Sequence, residues 1–100
     1  MRYRYFQPLP DAHGSTMLGY WRRDCDLLTL VKAATYREVF AEELSDGTLE
    51  SIWCRHNVDS RPRAQEIRSM CVGDVVELDG QWWAVASVGF VPLAERPHVD

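Results

Sequence analysis

The sequence predicts an α+β fold: a small antiparallel sheet of four to five strands, with one amphipathic helix packed on a face and a C-terminal β-hairpin. Three observations carry that expectation. Residues 68–90 set Val75, Val76 and Leu78 against Trp82, Trp83, Val85 and Val88 across Asp79-Gly80, a dipeptide that accepts positive φ at both centres of a type I′ turn. Residues 48–57 place Leu49, Ile52, Trp53 and His56 at helical spacing behind a Thr48 or Asp46 cap, with Asn57 as the stop. Residues 2–8 alternate Tyr3 and Tyr5 with Arg2, Arg4 and Phe6, the period of a strand.

Taken in order, Pro8 and Pro10 end the first strand because neither can donate a ladder hydrogen bond. Residues 11–16 have turn chemistry, and the loop they open has room for one helical turn around residues 17–21. Residues 27–31, Leu-Leu-Thr-Leu-Val, form a short continuous apolar run, which reads as a strand buried on both faces, although its periodicity alone is also compatible with a helix. Residues 36–44 are ambiguous. Thr35 and Glu38 have capping-box spacing, and Tyr36, Val39, Phe40 and Leu44 share a helical face. Residues 57–65 form a polar connector in which Pro62 drives Arg61 toward extended geometry. The expected core is Leu28, Leu30, Phe40, Leu49, Ile52, Trp53, Val75, Leu78, Val85 and Val88. The tail from residue 92, with two prolines, is expected to fray.

One hundred residues make a single domain, 1–100, and a hydrophobic fraction of 46% with four tryptophans is enough to build its core. No apolar run reaches the length of a membrane span, and the first residues lack the apolar stretch of a signal peptide. Three widely spaced cysteines, Cys25, Cys54 and Cys71, do not form a disulfide arithmetic and fit a reducing compartment. The expectation is a chain that begins at Met1 and works in a bacterial cytoplasm. A net charge of −4 argues against general attraction to the phosphate backbone.

A resemblance adds context. Tyr36-Arg-Glu-Val-Phe-Ala-Glu-Glu-Leu44, Thr48-Leu-Glu-Ser-Ile-Trp53 with Asn57 and Arg61-Pro62, and above all Arg68-Ser-Met-Cys-Val-Gly-Asp-Val-Val76 with Val88-Gly-Phe90 resemble the YodL-like domain. The resemblance covers about residues 36–91. The family pattern reads Arg-Ser-Met-Ser-Val-Gly-Asp-Val, from which this chain departs at Cys71. What the resemblance implies is a protein of phages, conjugative elements and firmicute or actinobacterial genomes. It carries over no catalytic residue, and it favours a strand over residues 36–44.

Glu38, Glu42, Glu43, Asp46 and Glu50 are five acids uninterrupted by a cation. Their ordinary role is a solvated face. Their sharper role is a carboxylate ridge that occupies the basic groove of a host protein or nucleic-acid-binding defence complex, an anti-CRISPR-like occlusion steered by charge. Trp82, next to the hairpin turn, is either packed under the tail or an interface anchor. Arg2, Arg4, Trp21, Arg22 and Arg23 interleave cations with aromatics as single-strand platforms do, giving nucleic-acid binding as the alternative. Arg55, His56, Arg61, Arg63 and Arg68 form a second basic group, either phosphate contacts or the internal complement of the acids. Cys54-Arg-His56 with Cys71 or Cys25 lacks zinc spacing. His13, Ser15 and Cys25 do not exceed chance as a catalytic set. The sequence therefore predicts a non-enzymatic binding protein with no cofactor and no metal.

Overall fold

Tyr3 and Tyr5 do lie on one face of a strand and Arg4 and Phe6 on the other, and that strand is the middle of the protein. The structure is a computed structural model that describes residues 1–9, 26–45 and 47–100. Its elements are β1 (Arg2–Pro8), α1 (Leu27–Ala33), β2 (Thr35–Glu43), α2 (Leu49–Arg55), β3 (Val75–Leu78), β4 (Gln81–Val85), β5 (Phe90–Leu93) and β6 (His98–Val99). The strands form one sheet in the order β5-β4-β3-β1-β2-β6. Four neighbouring pairs are antiparallel, and β6 runs parallel to β2.

The α+β class holds, but the sheet has six strands rather than four or five. Among the described residues two helices cover it rather than one, and each takes a face. On one side Tyr3, Tyr5, Val76 and Val85 pack with Ile52 of α2 and with Ile67 and Met70. On the other, Phe6, Tyr36, Val75, Ala84 and Leu93 pack with Val31 of α1 and with Ala34. Adjacent residues such as Val75 and Val76 are therefore both buried, because neither side of this sheet meets water there.

The expected strand at residues 27–31 is a helix. Leu27, Val31 and Ala34 fall at i, i+4 and i+7 and pack against the sheet, Leu30 at i+3 is buried as well, and Leu28 is 46% exposed. Asp26 caps the helix by accepting from the Thr29 amide at 2.8 Å. The segment 36–44, which the family resemblance favoured as a strand, is one as far as Glu43. The helix at residues 48–57 is present as Leu49–Arg55, with Thr48 accepting from the Ser51 amide at 3.1 Å. Asn57 closes its far end by donating to the Trp53 carbonyl at 2.9 Å.

The hairpin folds as expected around Asp79 and Gly80, with φ of 53° and 82°. It is not C-terminal, since β5 and β6 come after it. The tail expected to fray is tied down: Pro97 is buried, β6 pairs with β2, and the Asp100 amide donates to the Tyr36 carbonyl at 2.7 Å.

Of the expected core, Leu30, Ile52, Val75 and Val85 are buried, and Phe40, Leu49 and Leu78 pack half-buried against it. Leu28, Trp53 and Val88 are exposed. Trp53 lies off the Leu49, Ile52, His56 stripe that faces the sheet, and Val88 lies in the β4–β5 turn at 90% exposure.

Candidate functional site

Residues 68–74 bring a cation and an acid together around a glycine. Gly73 takes φ of 95°, which turns the chain so that Asp74 enters the core with no exposure. Arg68 meets it in a two-pronged pair, Nη1 to Oδ2 at 2.9 Å and Nη2 to Oδ1 at 2.7 Å. Asp74 also accepts from the Tyr5 hydroxyl at 2.7 Å and the Cys71 amide at 3.0 Å. Gln7 donates to the Tyr5 oxygen at 2.8 Å, and Tyr36 donates to the Gly73 carbonyl at 2.6 Å. Burial of Arg68 works against its charge, but the Asp74 carboxylate outweighs this and raises its pKa. Burial, reinforced by Asp74, pushes the Cys71 thiol up to about 11 despite the guanidinium 2.9 Å from its sulfur. Cys71 is consequently a thiol and not a thiolate at neutral pH.

A second buried group sits where β1, β2 and the end of α2 meet. Tyr3 donates its hydroxyl hydrogen to Glu42 Oε1 at 2.8 Å, and its oxygen lies 2.7 Å from His56 Nε2. With that single hydrogen spent on the carboxylate, His56 must carry its proton on Nε2 and donate to the tyrosine oxygen. Arg55 clasps the other side of Glu42 through Nε and through Nη2 at 2.8 Å. The His56 ring lies against Tyr5, Tyr3 and Phe40. Its desolvation lowers its pKa to about 4 despite Glu42, so the imidazole is neutral. Burial also opposes the Glu42 charge, but the hydrogen bonds from Arg55 and Tyr3 prevail and its pKa is lowered.

The acidic run is divided by a bulge. Between Tyr5 and Phe6 the register of β1 against β2 slips, so that Tyr5 faces Phe40 and Phe6 faces Glu38, leaving Val39 extra. Glu38 therefore stands on the α1 side, where Arg4 holds it at 2.5 Å and also reaches Glu77 at 3.4 Å. Glu42 stands on the α2 side with Arg55. Glu43 and Glu50 remain exposed, with the amino terminus 3.3 Å from Glu43. Asp46 lies outside the described residues.

Trp82 is half-buried, its ring tilted against Phe6 at 5.0 Å and covered by the Arg96 guanidinium at 5.7 Å. The tail thus packs over it. Trp83, on the opposite face, is half-buried as well, so neither tryptophan points freely outward.

For the alternative set, Arg2 is exposed, while Arg4 is held by two carboxylates and lies over Phe6 at 4.9 Å. Trp21, Arg22 and Arg23, like His13, Ser15 and Cys25, lie outside the described residues. In the second basic group Arg55, Arg63 and Arg68 each hold a carboxylate of the fold. Cys54 is exposed, Cys71 half-buried, and among the described residues no three metal-ligating side chains converge.

Sequence reasoning passed over one more feature. The segment after β5 crosses the α1 side of the sheet to become β6 on the far edge. Between this crossing and α1 lies a cleft of about 460 Å³ walled by Leu28, Val31, Lys32 and residues 92–98. The signal was available in Asp26 ahead of a 27/30/31/34 spacing, which places a helix there.

The family model described as YodL-like domain matches residues 16–91. Comparison with curated proteins and with solved structures finds no match.

Proposed function

The chain belongs to the YodL-like domain family, and from that premise we propose that it is a non-enzymatic binding protein of a phage or mobile element. In this reading it docks on a host protein complex and blocks it by presenting carboxylates to a groove that normally holds nucleic acid. The observation that supports it most is the closure of Arg68 on Asp74. The residues that mark the family are spent on holding its scaffold, which leaves recognition to the surface. Glu43 and Glu50, exposed at the two ends of the β2–α2 connection, supply the solvent-facing negative charge, Glu43 sharing its carboxylate with the amino terminus, and charge complementarity of this kind steers association.

The test pairs the wild-type chain with a Glu43→Lys/Glu50→Lys variant, both used as bait in host lysate and then titrated against the partner recovered. A stoichiometric partner whose association slows roughly tenfold on charge reversal and with added salt is expected. The absence of any stoichiometric protein partner overturns the reading. A gel shift at two salt concentrations discriminates the nucleic-acid alternative, since phosphate contacts weaken steeply as salt rises.

A further inference from the structure

We propose that the cleft between α1 and the 92–98 crossing binds a small amphipathic anion, a single carboxylate on an apolar body. Its floor is apolar and fixed: Val31 and Leu93 are 3% and 9% exposed, and Pro97 is buried. Leu28 stands at the rim with 46% of its surface in water, area that an occupant would cover. The volume of about 460 Å³ falls in the range of small-molecule sites.

The polar lining gives the ligand its sign. Lys32 from α1 and Arg96 from the crossing flank the cleft, against one carboxylate, Glu95, in a chain whose net charge is −4. Arg4, Arg55, Arg63 and Arg68 are each engaged by a carboxylate of the fold. Among the described residues Lys32 and Arg96 have none, as Arg2, Arg37 and Arg61 have none, but of these five it is Lys32 and Arg96 that line the cleft, and Arg96 rests on the face of Trp82. A carboxylate between them meets two available cations, and its tail takes the apolar floor. A neutral compound of the same shape gains only the second half of that interaction.

Decanoate, held below its micellar concentration, is the probe, with decan-1-ol as its neutral counterpart. Titration calorimetry and amide chemical shifts on the full chain should show saturable binding of one equivalent, with shifts centred on Val31, Leu93 and Ala94. Binding should weaken roughly tenfold in Lys32→Gln and in Arg96→Gln, and decan-1-ol should bind at least about tenfold less tightly than decanoate. Both substitutions are at exposed positions, and an unchanged melting temperature establishes that each variant is folded. No saturable binding, equal binding of the alcohol, or decanoate affinity unaltered in both variants overturns the proposal. This site does not depend on the acidic surface, so either reading can fail alone.

Discussion

Arg68 and Asp74 show how unequal the two halves of an ion pair can be. The Asp74 side chain has no exposure, whereas that of Arg68 retains 36%, so the acid depends on its partner more than the base does. Replacing Arg68 with Met leaves a buried carboxylate with only the Tyr5 hydroxyl and the Cys71 amide. A loss of about 3 kcal/mol is expected in urea unfolding, the low end for a broken buried pair because the guanidinium is partly solvated. Arg68→Lys should fall between, since an ammonium cannot make both contacts at once. His56 gives a second prediction. Its folded pKa of about 4 lies below the unfolded value near 6.5, so the unfolded chain binds more protons between those pH values. Its contribution is complete above about pH 6.5 and declines as pH falls toward 4, by about 3 kcal/mol at most. Glu42, whose pKa is also lowered, adds a loss in the same direction at lower pH. Stability measured from pH 7 to 4 should therefore decline in the wild type and flatten in His56→Phe. The sequence allowed Arg68 and His56 a part as the internal complement of the acids but named neither partner: an arginine and an aspartate six residues apart look like surface charge until a positive φ at Gly73 brings them together.

At the scale of elements, local rules worked where one face decided the pattern and failed where two did. The β3–β4 hairpin was readable because Asp79-Gly80 fixes its register without reference to anything distant. The helix α2 was readable from its cap, and Thr48→Ala should cost about 1 kcal/mol in thermal or denaturant unfolding by releasing the Ser51 amide. Residues 27–33 misled because leucine and valine in a row satisfy both a doubly buried strand and one side of a short helix. The cap at Asp26 resolves the choice. β2 misled for a different reason: the Val39 bulge changes the face of the strand midway, so period two fails along its length while Tyr36, Val39, Phe40 and Leu44 fall at helical spacing. A carboxylate ridge counted along the sequence is consequently split, Glu38 to one side and Glu42 to the other. No single-strand pattern could reveal this, because the slip exists only relative to β1.

At the scale of the whole molecule, the C-terminal segment does more than its composition suggests. It leaves one edge of the sheet as β5, crosses the α1 face over Trp82, and joins the opposite edge as β6. Removing residues 94–100 should expose Trp82 and Tyr36 and abolish the cleft. A lower melting temperature and a red-shifted tryptophan emission relative to the full chain are the expected readings. The prolines that argued for fraying are accommodated differently. Pro92 lies in β5, which among the described residues pairs on one side only, so its missing amide costs no ladder bond. That placement has a consequence for self-association. One margin of the sheet carries an imino acid that cannot donate to an incoming strand, and the other is only two residues long. Both are poor templates for a neighbouring chain. Pro92→Val would restore the donor on that margin, and the protein should then form higher-order species at concentrations where the parent sediments unchanged.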